Sequence, residues 1–206
     1  MATKYKLTYF NGRGRAEAIR WLLVYMDEEF EDVRIDSEDW LKMKQTTPFG
    51  QLPLLEEDGK PICQSLAIVR YLAKKAGLAG NNDWEDLQLD IVSDTLVDLR
   101  TPAGAFVRET NEDLKKAKKE TYIKETLPFY MKKLDSIVGE NGGYLANKKL
   151  SWVDFVFTAT LVEFLNQHLG IPDVTANYPH LHALTEKVRA IPQIKTWIEN
   201  RPKTTF

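Results

Sequence analysis

Residues 5–23 read YKLTYFNGRGRAEAIRWLL, and the fold turns on this stretch. YKLTYF alternates polar and apolar with aromatic enrichment, the pattern of a short half-buried strand. The alternation breaks at Asn11-Gly12-Arg13-Gly14-Arg15. From Ala16 the period becomes helical, with Ile19, Leu22, Leu23 and Met26 on one face. EFEDVRI (29–35) alternates again and reads as a second strand. The three elements make a β-α-β unit, so the strands should be parallel with a right-handed crossover.

Outward from that unit, residues 36–50 read as irregular, holding Trp40, Lys44, Pro48 and Gly50. LPLLEEDGKPIC (52–63) follows as two short runs joined at Asp58-Gly59, a strong two-residue hairpin signal. Ser65 is the expected N-cap of a helix over SLAIVRYLAKKAG (65–77), with Gly77 as its C-cap. After GLAGNND (77–83) the strand signals stop. Asp83 is expected to cap a long helix carrying Leu89, Val92, Leu96 and Leu99, which Pro102 should kink or end. Helical patterns continue over 112–138, 154–169, 178–190 and 193–200. The expected fold class is therefore α/β plus all-α. An amino-terminal thioredoxin-like domain occupies 1–79 and an all-helical domain 80–206. SWVD (151–154) reads as a capping box with Asp in place of Glu.

With 206 residues the chain can build one large domain or two small ones. Lys and Arg total 28 against 30 acidic residues, so no global field gathers nucleic acid, and any anion must be held by a few local cations. The single cysteine, Cys63, excludes an internal disulfide and a Cys-x-x-Cys motif. No run reaches the roughly 18 apolar residues of a membrane span, and no signal-peptide pattern opens the sequence. These features predict a reduced, cytoplasmic protein with neither nucleic-acid nor membrane partners. His168, His180 and His182 lack metal-ligand spacing and read as surface or packing residues, so no metal is expected.

In redox members of the thioredoxin-like fold a Cys-x-x-Cys sits at the first strand-to-helix turn. Here the turn carries Tyr9-Phe10-Asn11-Gly12, with no thiol to exchange. On its own, Tyr9 reads first as a tyrosine packed at a strand end. Its neighbours change that reading. KLTYFNGRGRAEAIR, DWLKMK, PFGQLPLLEEDGK, QSLAIVRYLA, DTLVDLR and LSWVDF, in this order, resemble the sigma class of cytosolic glutathione transferases, the class that includes haematopoietic prostaglandin D synthase.

The resemblance implies a co-substrate, glutathione, and a homodimer acting on hydrophobic electrophilic small molecules or peroxides. It assigns Tyr9 to donate a hydrogen bond to the glutathione sulfur and Arg15 to help orient that hydroxyl and the thiolate. Donation to the ionised form lowers the thiol pKa. It gives Pro53 as a cis proline that turns the Leu52 backbone, beside Gln51, toward the cysteinyl unit. Gln64 and Ser65 would hold the γ-glutamyl end, and Trp40 and Lys44 the glycyl end. Asp98 would reach the γ-glutamyl amine across the dimer. Phe10, Gly14, Phe106, Val156 and Phe206 are the candidates for an apolar acceptor site.

Departures from the prostaglandin synthase pattern bear on the acceptor. Its magnesium-binding acidic trio is broken here, with Asp94 and Asp98 around Val97. Its pocket tryptophan and tyrosine fall at Ala105 and Val156. A transferase is the main expectation. Prostaglandin isomerisation and a crystallin-like structural role are its rivals.

Overall fold

The structure, a computed structural model, is described for residues 4–204. Contacts divide the chain into two compact units, one running through Leu78 and resuming at Ala190, the other spanning Ala79–Arg189.

The first unit holds strands β1 (Tyr5–Phe10), β2 (Phe30–Ile35), β3 (Leu54–Glu57) and β4 (Lys60–Cys63) in the order β2-β1-β3-β4. β1 and β2 are parallel, as a β-α-β unit requires, and β3 runs antiparallel to both β1 and β4. Asp58 and Gly59 both take positive φ, +50° and +76°, the geometry that a tight hairpin needs and that Asp-Gly tolerates best. Helices α1 (Glu17–Tyr25), α2 (Ser37–Met43) and α3 (Ser65–Lys75) complete the amino-terminal part.

Three expectations are corrected in this unit. The segment 36–50 is not wholly irregular: Asp36 accepts from the N–H groups of Glu38 and Asp39 at 2.9 Å and starts α2. That helix buries no residue, so no apolar period announced it. Gln64, not Ser65, is the N-cap of α3, and Ser65 is the first helical residue. The chain's last helix, α10 by chain order (Pro192–Asn200), packs on α1 and belongs with the first unit, not with the 80–206 block. Trp197 explains the attachment: its ring lies 5.8 Å from that of Phe30, and its indole N–H donates to Glu17 at 2.9 Å. Between α3 and α10, α1 is buried on all sides from Glu17 to Leu23.

The second unit comprises α4 (Asp83–Val107), α5 (Glu112–Thr121), α6 (Leu127–Glu140), α7 (Trp152–Phe155), α8 (Glu163–Leu169) and α9 (Pro179–Arg189). Short π-helical segments, 122–126 and 156–162, join α5 to α6 and α7 to α8. Leu89, Val92, Leu96 and Leu99 form the buried face of α4. Asn82, one residue before the expected Asp83, caps it by accepting from the Glu85 N–H at 3.1 Å. Pro102 lies inside α4 instead of ending it. Proline has no N–H for the carbonyl four residues back, which belongs to Asp98, an exposed residue. The capping box forms: Asp154 Oδ2 accepts from the Ser151 N–H at 2.8 Å and the Ser151 hydroxyl at 3.0 Å. Its other oxygen accepts from the Leu145 N–H at 3.0 Å. Among the described residues no helix is long and apolar enough to cross a membrane.

Candidate functional site

Register brings several of the singled-out segments to one end of the sheet. Phe10 pairs with Ile35, Thr8 with Leu54, and Leu54 with Cys63. The carboxyl ends of β1, β2 and β4 and the start of β3 therefore share that end. From it emerge Tyr9 and the 11–15 turn, the segment bearing Trp40 and Lys44, the Leu52–Pro53 pair, and Gln64–Ser65.

Tyr9 is half-buried, and its ring meets that of Phe10 edge-on at 5.7 Å. Phe10 in turn meets Trp40 at 6.0 Å. The Tyr9 hydroxyl oxygen accepts the backbone N–H of Arg15 at 3.3 Å. A hydroxyl that accepts one bond keeps its own proton free to donate elsewhere, and acceptance polarises that O–H. Gly14 makes the approach possible: its φ is +44°, and a Cβ there would lie 2.7 Å from the Tyr9 oxygen. The Arg15 side chain is exposed, and the contact made here with the Tyr9 hydroxyl comes from its backbone N–H.

The peptide bond Leu52–Pro53 is cis. The β1–β3 ladder ends at Leu54, so Leu52 lies beyond the paired strand. The stem of Lys44 folds toward the turn at Gly50, its Cε within 3.6 Å of where a Gly50 Cβ would stand. Gln64 takes φ +71° and ψ +103°, a conformation that costs a non-glycine residue about 1–3 kcal/mol and that gathers at ligand clamps. Its side chain makes no capping bond. The first turn of α3 therefore presents backbone N–H groups and the positive end of its dipole to an anion.

The remaining candidates lie in the helical unit. Asp98 and Asp94 are exposed on α4, with the 41%-exposed Val97 before Asp98. Phe106 is 2% exposed and packs edge-on against Tyr122 at 5.6 Å; Val156 is 5% exposed. Phe206 lies outside the described residues. Among the described residues no group of three or more His, Cys, Asp or Glu side chains is placed to hold a metal ion. His182 instead contacts Asp173 at 2.9 Å. The sequence reading passed over Glu17 and Arg20, whose spacing of three was their only local signal and suits a solvated helix face equally well.

The fold and this turn define a thioredoxin-like domain with a tyrosine where redox members carry cysteine, joined in one chain to a helical unit. Residues 5–74 match the glutathione S-transferase N-terminal domain and residues 97–201 the glutathione S-transferase C-terminal domain. Glutathione S-transferase S1 of Drosophila melanogaster is 42% identical over 200 residues, 97% of this chain and 80% of that protein. Human hematopoietic prostaglandin D synthase is 41% identical over 204 residues, 97% of this chain and 98% of that one. A solved structure of prostaglandin synthase D of Nilaparvata lugens superposes with TM-score 0.93 at 51% identity, covering 98% of this chain and all of the other (100%). The chain belongs to the glutathione S-transferase family. It is a transferase whose co-substrate is glutathione.

Proposed function

We propose that the chain is a cytoplasmic, homodimeric glutathione transferase of the sigma class that joins the glutathione sulfur to hydrophobic electrophiles. The observation that carries the reading is the Arg15 N–H on the Tyr9 oxygen, which leaves the phenolic proton to be donated outward. A sulfur within reach of that proton is easier to ionise, because the bond favours thiolate over thiol. A free thiol, with pKa near 8.5, is only a few per cent ionised at neutral pH. Each unit of depression corresponds to about 1.36 kcal/mol of differential stabilisation.

Glutathione lies along the end of the sheet in this reading. Its γ-glutamyl carboxylate meets the first turn of α3 at Gln64 and Ser65. Its cysteinyl backbone pairs with Leu52, beside Gln51 and Pro53, as an added strand. Its glycyl carboxylate meets Lys44 and Trp40. Asp98 of a second copy holds the γ-glutamyl amine. Exposed Trp84, Leu87 and Ile91 share the Asp94–Asp98 face of α4 and support burial against that copy. The thiolate forms a C–S bond to the electrophilic carbon, and the leaving group departs with the bonding pair; Arg15 helps orient the thiolate. Phe10 and Gly14 are the acceptor-side residues nearest the phenol.

Identity of 51% to an insect prostaglandin synthase favours a second reading, glutathione-dependent isomerisation of prostaglandin H2. Purified protein assayed with glutathione and chlorodinitrobenzene, a lipid hydroperoxide, a reactive aldehyde or prostaglandin H2 separates the two. Conjugation should exceed isomerisation, and Tyr9→Phe should lower it roughly a hundredfold while glutathione still binds. Glutathione binding with no turnover of any of the four contradicts the transferase reading. Turnover of prostaglandin H2 alone establishes the second.

A further inference from the structure

The turn beneath Tyr9 is held from behind by buried charge. Arg20 is fully buried. Its Nη1 donates to the Gly12 carbonyl at 2.7 Å, to the Arg13 carbonyl at 3.4 Å and to Glu17 Oε2 at 3.1 Å. Its Nε donates to Asp32 Oδ1 at 3.0 Å, on β2. The guanidinium carbon stands 6.0 Å from the centroid of the Tyr9 ring. Glu17 is the second hub: its Oε1 accepts from Trp21 Nε1 at 3.0 Å, Trp197 Nε1 at 2.9 Å and Arg201 Nη1 at 2.6 Å. Burial pushes this carboxyl up, but Arg20, Arg201 and Trp197 outweigh it and hold it below the ordinary value.

Buried ion pairs contribute little to stability over an apolar core of the same shape, so stability alone is a weak reason for this cluster. Its geometry supplies another. A peptide unit is planar, so a fixed Arg13 carbonyl fixes the Gly14 N–H with it. Only the two backbone torsions of Gly14 then lie between the clamp and the next peptide plane, whose Arg15 N–H meets the Tyr9 oxygen. Gly14 is the residue on which the chain has most freedom to miss.

We infer that Arg20 is a positioning residue for the sulfur chemistry, fixing the 12–15 turn through the Gly12 and Arg13 carbonyls, with Glu17 and the α10 donors Trp197 and Arg201 anchoring Arg20. The inference rests on the proposed role of Tyr9 and adds the device that keeps its hydroxyl correctly polarised.

The test is Arg20→Lys, which keeps the charge but gives up the fork that reaches Gly12, Glu17 and Asp32 together, beside Trp197→Phe, which keeps every charge and removes one donor to Glu17. Each variant is checked for cooperative melting and glutathione affinity, and the bound thiol is then titrated by thiolate absorbance. Arg20→Lys should bind glutathione within about threefold of wild type and ionise it about one pH unit higher, so that kcat/KM near pH 6.5 falls about fivefold and recovers near pH 9. Trp197→Phe should move the same way by about two- to threefold. A folded Arg20→Lys whose thiol titrates as in wild type, or whose loss is equal at every pH, overturns the inference. If Arg20→Lys does not fold, an unchanged pH profile in Trp197→Phe overturns it. Failure of the underlying reading looks different: wild type itself would show no depressed thiol, and Tyr9→Phe would change nothing.

Discussion

At Gly14 a single added methyl group decides whether the phenol keeps its place. Its Cβ would stand 2.7 Å from the Tyr9 oxygen and 3.1 Å from the ring edge, on a backbone with φ +44°. Gly14→Ala should therefore lose activity by more than about tenfold and stability by about 1–2 kcal/mol, read by kinetics and thermal melting together. Unchanged kinetics in this variant would show that the turn is loose. Tyr9 and Gly14 were legible in sequence because a thiol-less turn after the first strand draws the eye, and Pro53 and Gln64 through resemblance. The strained φ of Gln64 was not, since no residue type announces it. Nor was the clamp: Glu17 and Arg20 look like exposed charges until Trp197 and Arg201, far away in the chain, are folded onto them.

Among the elements, α7 shows how a local signal reads reliably. SWVD forms the capping box the spacing predicts, because both partners lie within one turn. Desolvation pushes Asp154 up to about 6, against the pull of the Leu145 and Ser151 N–H bonds and the Ser151 hydroxyl. A carboxyl whose folded pKa lies above its unfolded value gives stability that is present at low pH and is lost as pH rises through the folded value. The melting-temperature margin of wild type over Asp154→Asn should thus narrow between about pH 4 and pH 6. A margin that widens over that interval contradicts the burial of this carboxyl. Where elements were misread, the cause is also local. α2 buries nothing, so it left no apolar period, and Pro102 withholds only the one backbone N–H that would meet the carbonyl of exposed Asp98.

For the whole molecule, strand order was legible where the chain constrains it: a helix between two strands makes them parallel, and Asp58-Gly59 makes a hairpin. The destination of α10 was not, because periodicity gives a helix its apolar face without saying what covers it. The same holds for the outer face of α4, where Trp84 is 67%, Leu87 46% and Ile91 52% exposed. Under the proposed homodimer, sedimentation at micromolar concentration should give about twice the chain mass, and Ile91→Glu should shift it toward one. A single monomeric species in wild type would contradict the dimer and the role given to Asp98. The central claim concerns the sulfur, and ultraviolet titration of glutathione bound to wild type and to Tyr9→Phe tests it most directly. The account predicts ionisation roughly two pH units below the free thiol's 8.5 in wild type, with most of that difference gone in the variant. A bound sulfur that ionises no more readily than in free solution would contradict it.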